Sequence, residues 1–166
     1  MDPRAEAEFT EFMNGRWTAL VRMGYGLTGD KGLAEDLAQT ALAKAYASWP
    51  RVRRAGDPDA YVRRIMLNAN HSRFRKRRVP EQLTDRPPET GAQETGLPDE
   101  RSVLMSALMR LPAGQRAVVV LRYWMDMTET EAAAVLGCSV GNVKSQAARA
   151  LAKLRVSEDL TEGMRP

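Results

Sequence analysis

The sequence has little of what metal sites, disulfides and membrane spans require. Cys138 is the only cysteine and His71 the only histidine among 166 residues. A disulfide within the chain is therefore excluded, and a cysteine–histidine zinc site has too few ligands. No apolar run approaches the roughly 20 residues needed to cross a bilayer, and the acidic N-terminal stretch lacks the apolar core of a signal peptide. We expect a cytoplasmic protein without a metal, a cofactor or a membrane partner.

Strand signals are also scarce. The only cluster of adjacent β-branched residues, at 118–120, lies inside a longer helical pattern. Elsewhere apolar residues recur at the three- and four-residue spacing of helices that bury one face. The sequence therefore predicts an all-α fold.

An acidic segment, residues 81–100, divides the chain. It holds three prolines, two glycines and six acidic residues against one basic residue, a net charge of −5. Such a segment cannot bury enough apolar surface to offset the entropy of ordering it. We interpret it as a flexible linker between two small helical domains, residues 1–80 and 101–156, followed by a disordered tail at 157–166. Its 20 residues reach about 66 Å when extended, so the two domains could act at well separated places.

Three or four helices are predicted before this linker. The first covers about residues 6–27, and Asp30 can cap the second. Asp57 followed by Pro58 is a cap with proline at the first helical position, and it starts a helix that runs to about residue 77.

The second helix carries a polar and aromatic stripe opposite its apolar one. The spacing places these residues on one helical face. Simple exposure to solvent would account for this stripe. The more specific hypothesis is that the stripe binds a partner. The residues are Asp36, Gln39, Ala43 and Tyr46.

Four helices are predicted after the linker, and the last two form a helix-turn-helix. Thr128 and Glu131 fit a capping box that starts the first of this pair. Gly137 is a left-handed C-terminal cap, and Ser139 caps the last helix. The pattern is typical of DNA-binding proteins, although an ordinary helical hairpin with a solvated basic face is the alternative.

The last helix has no acidic residue between Ser139 and Arg155 and four basic ones. Lys and Arg can reach phosphates or guanine edges, and Asn and Ser can hydrogen-bond to bases, so its outer face suits a major groove. We assign to this face Ser139, Gly141, Asn142, Lys144, Ser145, Ala148 and Arg149.

Residues 51–78 hold ten Lys or Arg against two Asp, a net charge of +8 in a chain whose total is +4. Basic and aromatic side chains together can follow a phosphate backbone and stack on unpaired bases. The alternative places the aromatic residues in the core and leaves the arginines merely solvated. We assign to this second DNA face Arg51, Arg53, Arg54, Tyr61, Arg64, Asn68, His71, Arg75, Lys76 and Arg78.

Together these segments resemble the extracytoplasmic-function (ECF) class of sigma-70 family RNA polymerase sigma factors. Residues 34–46 look like sigma region 2.2, and residues 61–68 look like regions 2.3 and 2.4. Residues 111–116 and 137–145 look like region 4. The resemblance implies a region 2 helical bundle and a region 4 helix-turn-helix joined by a variable linker.

The resemblance also implies a function. Such a protein binds core RNA polymerase at the β′ clamp and the β flap and directs it to promoter DNA. The stripe that contains Asp36 and Gln39 would bind the clamp. Residues 51–57 would be a loop that captures a flipped base of the minus-ten element, Asn68 would help form the pocket of that base, and the last helix would read the minus-thirty-five element.

Two other functions remain as alternatives. A helix-turn-helix repressor or activator would bind an operator by itself, as a dimer, and a helical adaptor would show no salt-dependent DNA affinity. The sequence has no phosphate-binding loop, nucleophile–base pair or acidic metal cluster, so we expect no enzymatic activity. We expect a monomer when the chain is free, and the sequence leaves open whether an anti-sigma factor binds it.

Overall fold

The computed structural model describes the backbone of residues 2–83 and 100–163 and the side chains of residues 2–73 and 103–156. These residues form eight α-helices and one π-helical turn without a strand, so the predicted all-α class is confirmed. No helix among them is both long and apolar enough to span a membrane. Residues 84–99, which are most of the predicted linker, lie outside the described residues. Residues 164–166 of the predicted tail also lie outside them, and for residues 157–163 of that tail only the backbone is described.

Aspartate side chains begin three of the four helices in the first half. Asp2, Asp30 and Asp57 each accept a hydrogen bond from the backbone amide three residues later, at 2.8 to 3.1 Å. Each carboxylate thereby satisfies a donor that the helix start leaves without a partner. The helices are α1 (Pro3–Thr28), α2 (Lys31–Ala47), α3 (Trp49–Arg54) and α4 (Pro58–Leu83).

The second half contains one departure from the predicted regular helices. The helix that the sequence extends through Trp124 widens into a π-helical turn, where the Met125 amide donates to the Val120 carbonyl at 2.9 Å. The wider turn brings the Trp124 indole to α1, where Nε1 donates to the Arg22 carbonyl at 2.7 Å. The elements are α5 (Glu100–Arg110), α6 (Ala113–Val119), the π-helical turn (Val120–Trp124), α7 (Glu129–Leu136) and α8 (Val140–Gly163).

The two halves pack against each other. Leu20 and Met23 of α1 belong to the same buried cluster as Val118, Val120 and Leu121 of the second half. α1 and α4 contact α5, the π-helical turn and α7. Fully burying one such aliphatic side chain contributes roughly 1.5–3 kcal/mol, so this shared core stabilises one joined arrangement. The boundaries given for the two domains stay a prediction, and the larger of the two buried clusters draws on residues of both halves.

Two glycines of α1 allow neighbouring elements to approach closely. A Cβ atom at Gly24 would lie 2.9 Å from the Ala34 Cα atom of α2. A Cβ atom at Gly26 would lie 3.0 Å from the Trp124 Cδ1 atom. The backbone of α1 therefore lies directly against α2 on one side and against the second half on the other.

Arg116 ties the helix ends of both halves together. Its guanidinium donates to the carbonyls of Leu108, Met109 and Leu111 near the end of α5, and to the Leu27 carbonyl near the end of α1, at 2.8 to 3.3 Å. Burial lowers the pKa of this guanidinium, because desolvation disfavours its charge. Four carbonyl acceptors offset that cost and fix α1 to α5 and α6.

The Gly24 contact predicts a loss of stability on enlargement. Gly24→Ala should lower the free energy of unfolding by about 1–2 kcal/mol, because overpacking against the α2 backbone outweighs the gain in helix propensity. Gly15→Ala is the matched control, since a Cβ atom there meets nothing within 4 Å, and it should raise stability by about 0.5–1 kcal/mol. Urea unfolding of both variants measures the difference, and equal stabilisation of the two would contradict the packing described.

Candidate nucleic-acid and partner interfaces

The predicted stripe on α2 lies on one exposed face. Asp36, Gln39, Ala43 and Tyr46 are all exposed, while the opposite face of the helix is buried in the core. Tyr46 is 40% exposed, and its ring packs edge-on against Phe9 with centroids 5.1 Å apart. The aromatic side chain is therefore held at the surface in a defined orientation, as a partner-binding face requires.

The segment expected to form a base-capturing loop is largely helical. Residues 51–54 belong to α3, and only residues 55–57 form a turn before α4. Val52 is buried and anchors this short helix. Arg53 pairs with Glu8 of α1 at 2.8 Å, while Arg51 and Arg54 are exposed. The expectation of a loop across the whole segment is therefore wrong, because the buried Val52 and the charge pair to α1 favour a helical turn.

Three predicted DNA-face residues share the exposed side of α4. Arg64, Asn68 and His71 are exposed there, as their helical spacing predicts. Tyr61 is half-buried and packs against the core. The remaining members of the set, Arg75, Lys76 and Arg78, lie outside the residues whose side chains the structure describes.

Arg63 is a buried cation that the sequence assignment left out. It is 9% exposed, and its Nε lies 3.0 Å from the Asp59 carboxylate one turn earlier. Its Nη1 lies 3.6 Å from the Met127 Sδ atom of the second half. The i,i+4 spacing of Asp59 and Arg63 is a signal that could have identified the pair from sequence.

Arg64 contacts the helix-turn-helix. Its Nη2 donates to the Ala134 carbonyl at 2.5 Å, and its Nε donates to the Val135 carbonyl at 3.2 Å. These carbonyls belong to the end of α7, where a cation also interacts favourably with the helix dipole. A groove of about 420 Å³ beside this contact is lined by Arg64, Asn68 and His71 from α4 and by α6 and α7 residues.

The helix-turn-helix has the predicted caps. The Thr128 hydroxyl accepts from the Glu131 amide at 3.1 Å, and the Glu131 carboxylate accepts from the Thr128 amide at 3.2 Å. Gly137 has φ of +69° and ends α7 in the left-handed conformation. The Ser139 hydroxyl then accepts from the Asn142 amide at 3.0 Å and begins α8. The turn is thus closed by local hydrogen bonds on both sides.

The outer face of α8 is free to meet a ligand. Val143, Ala147 and Ala150 are buried, which turns the opposite face outward. Lys144 lies 3.9 Å from Glu129, but its side chain is 66% exposed, and such surface pairs contribute about 0–1 kcal/mol. The residues assigned to this face are all exposed: Ser139, Gly141, Asn142, Lys144, Ser145, Ala148 and Arg149.

Comparison with known families matches both halves of the chain. A family model described as "Sigma-70 region 2" matches residues 18–79. A second model, described as "Sigma-70, region 4", matches residues 101–154. The two matches fall on either side of the acidic segment.

Similar proteins cover from 77% to 96% of the chain. An RNA polymerase sigma-E factor of Streptomyces coelicolor is 42% identical over 157 residues, which are 92% of this chain and 89% of that protein. The ECF RNA polymerase sigma factor EcfG of Rhodopseudomonas palustris is 30% identical over 137 residues, 77% of this chain and 72% of that protein. The sigma factor RpoE of Bartonella quintana, solved in complex with the anti-sigma factor NepR, superposes with a TM-score of 0.74 at 27% identity and covers 92% of this chain and 97% of its own. CnrH, solved with the cytosolic domain of CnrY, gives a TM-score of 0.63 at 25% identity over 96% of this chain and 91% of its own.

The capping box predicts a specific cost for losing one hydroxyl. Thr128→Ala should lower the free energy of unfolding by about 1–2 kcal/mol, because the first turn of α7 loses its cap. Thr130→Ala is the control, since it changes the same residue type on the exposed surface of α7 and should stay within about 0.5 kcal/mol of the wild type. Thermal or urea unfolding gives both values, and indistinguishable stabilities would show that the cap contributes nothing.

Proposed function

This chain belongs to the extracytoplasmic-function class of the sigma-70 family of RNA polymerase sigma factors, and we propose how its surfaces divide the task of promoter-specific initiation. The first half binds the polymerase β′ clamp through α2 and the minus-ten element through α3 and α4. The second half reads the minus-thirty-five element through α8 and binds the β flap. One observation carries this proposal: the same chain presents two exposed surfaces. One is the exposed, basic outer face of α8 in a capped helix-turn-helix, and the other is the exposed stripe of α2.

The proposal for α8 is supported by its charge and chemistry. The helix starts at a capped turn, so its first backbone amides can approach a phosphate. Asn142 and Ser145 can hydrogen-bond to base edges, and Lys144 and Arg149 can reach guanine or phosphate oxygens. All four side chains are exposed.

The proposal for α3 and α4 rests on a basic surface next to half-buried Tyr61. Separating DNA strands costs about 1.4 kcal/mol per base-pair step in stacking, and a base held outside the stack recovers part of that cost. Asn68 is exposed on α4 beside Arg64, so it can contribute to a pocket for such a base. Arg51 and Arg54, both exposed on α3, can hold the adjacent backbone.

Polymerase supplies the chemistry in this scheme. We propose that the chain has no catalytic activity of its own and acts by positioning polymerase on DNA. We also propose that an anti-sigma factor binds it. The support is the similarity of 92% of this chain to the sigma factor RpoE, which was solved in complex with the anti-sigma factor NepR.

Run-off transcription with purified core polymerase tests the proposed function. Core enzyme plus this chain should initiate from a subset of genomic promoter fragments, whereas core enzyme alone should not select among them. A chain that binds a specific operator as a dimer, without changing what polymerase transcribes, would instead be a helix-turn-helix repressor or activator.

The α2 stripe predicts a loss of polymerase affinity. Asp36→Ala should weaken binding to core polymerase by about tenfold, or 1.4 kcal/mol, because a charged contact to the clamp is removed. Glu11→Ala on α1 removes another exposed carboxylate and should leave affinity unchanged. Unfolding of both variants by urea verifies that the fold is intact, and unchanged polymerase affinity of the Asp36 variant would reject the clamp assignment.

The α8 face predicts sequence-dependent binding. If Arg149 contacts a base, Arg149→Ala should weaken holoenzyme binding to a selected promoter by about 1–3 kcal/mol. The loss of binding should be smaller on DNA whose upstream element is scrambled. Arg155→Ala is a control on the same helix, since that residue is also exposed but lies farther from the turn. Filter binding at constant salt distinguishes a base contact from a phosphate contact. An equal loss of affinity on the selected and the scrambled DNA indicates that Arg149 contacts a phosphate.

A further inference from the structure

A short turn joins the two helices of the proposed minus-ten surface. Residues 55–57 connect α3 to α4, and all three are exposed. Gly56 at the centre has φ of +86°, and a Cβ atom there would meet nothing within 4 Å. The centre of the turn therefore has open space around it, and a ligand can approach it from solvent.

The hydrogen bonds of this turn run to its own flanking helices. The Ala55 amide donates to the Arg51 carbonyl at 3.1 Å, and the Gly56 amide donates to the Arg53 carbonyl at 3.4 Å. The Asp57 carboxylate caps the start of α4. These bonds close the ends of α3 and α4 but do not fix the turn to a third element. The placement of the two helices against α1 therefore decides where the turn lies.

One side of α1 holds both flanks of the turn. Glu8 and Arg16 lie eight residues apart, about 12 Å along the helix, and Phe12 lies midway at the spacing that keeps all three on one side. The Arg53 Nε atom of α3 lies 2.8 Å from the Glu8 carboxylate. The Arg16 Nε atom lies 3.4 Å from the Asp59 carboxylate of α4. We call Glu8, Phe12 and Arg16 the anchor face of α1.

Aromatic packing fills the space between the two ion pairs. The centroid of the Phe12 ring lies 5.3 Å from that of Trp49, which is buried at the start of α3. The Arg16 guanidinium lies 5.7 Å from the Phe12 centroid. The Phe9 ring packs edge-on against Trp49 with centroids 5.2 Å apart. An apolar contact thus stabilises α1 against α3, with one charge pair at each end of the anchor face.

The order of the charges specifies one register of α1. The anchor face carries a negative charge at Glu8 and a positive one at Arg16, and their partners Arg53 and Asp59 carry the opposite signs. Exchanging the partners would place like charges together, which is unfavourable. The Arg53 and Arg16 side chains are 46% and 48% exposed, so the pairs contribute little to the free energy of unfolding. Their main consequence is the placement of the helices.

We propose that Glu8 and Arg16 are positioning residues for base capture: they hold both flanks of the turn so that residues 55–57 are ordered before an unpaired minus-ten base arrives. This inference rests on the proposed function, because it takes the turn to lie on the minus-ten surface. A turn that is ordered in advance loses less conformational entropy when DNA binds. It also adapts less readily to a wrong base than a flexible turn does.

Two neutral substitutions remove the charges of the anchor face without changing a proposed DNA contact. Glu8→Gln and Arg16→Gln each keep a long polar side chain. Arg16→Lys keeps the cation and is the rescue variant. The matched controls are Glu11→Gln and Arg4→Gln, because both residues are exposed on α1 and neither forms an ion pair with the described residues.

Nuclear magnetic resonance of the free, full-length chain measures the order of the turn. The heteronuclear Overhauser effect at the Ala55 and Gly56 amides should match that of α4 in the wild type, in both controls and in Arg16→Lys. It should fall in Glu8→Gln and Arg16→Gln, and fall furthest in the double variant, because fast backbone motion lowers it. Urea unfolding of the same preparations verifies that every variant remains folded.

Base discrimination by the holoenzyme measures the consequence for DNA. The probe is a fork-junction DNA made from a promoter that the wild-type holoenzyme transcribes, with each of the four nucleotides in turn at every unpaired minus-ten position. The ratio of affinities for the preferred and the other nucleotides should fall by about three- to tenfold in the double variant. Affinity for core polymerase should not change. A merely structural defect would lower all affinities together and leave the ratio as it is.

The outcomes separate this proposal from the proposed function. A turn that stays ordered in the double variant, or an unaltered affinity ratio, would overturn the positioning role. An equal loss in Arg16→Lys and Arg16→Gln would also overturn it, since the cation would then be irrelevant. A wild-type holoenzyme that prefers no nucleotide at any unpaired position would reject the minus-ten assignment itself, and the Overhauser effect would still decide whether α1 orders the turn.

Discussion

Helix ends leave carbonyl groups without partners inside the helix, and this molecule satisfies several of them with arginine. Arg116 bonds to four carbonyls near the ends of α1 and α5, and Arg64 bonds to two at the end of α7. Each guanidinium carries several donors in a fixed fork, so one side chain joins helices that are far apart in sequence. Because Leu27 lies in the first half and Ala134 in the second, both arginines determine how the halves meet.

Small residues provide the close approach that those hydrogen bonds need. Gly24 brings α1 against Ala34 of α2, and Gly26 brings α1 against Trp124. Alanine also lines the buried side of α2, where Ala38 and Ala41 are fully covered. Short side chains lower the separation of helix axes and bring backbone carbonyls within reach of arginine. The exposed stripe of α2 follows from the same constraint, since burying its alanine face turns Asp36 and Tyr46 outward.

Local signals predicted those parts of the fold that local interactions determine. Asp30, Thr128 with Glu131, and Gly137 identify helix ends because each bonds within three or four residues. The exposed faces of α2 and α8 likewise follow from helical spacing. The π-helical turn could not be predicted in this way, because the Trp124 indole finds its acceptor in the other half. α3 has six residues, too few for a periodic pattern, and the partner of Arg64 lies 70 residues away along the chain.

The same distinction between local and distant partners separates two neighbouring arginines of α4. Arg63 and Arg64 are adjacent, but successive helical residues point about 100° apart. Arg63 is paired with Asp59 of its own helix, one turn earlier. Arg64 has its hydrogen-bond acceptors in the second half, at the end of α7. The +8 net charge of residues 51–78 therefore overstates the positive charge that this stretch presents without a partner, because several of its guanidinium groups already contact other residues of the fold.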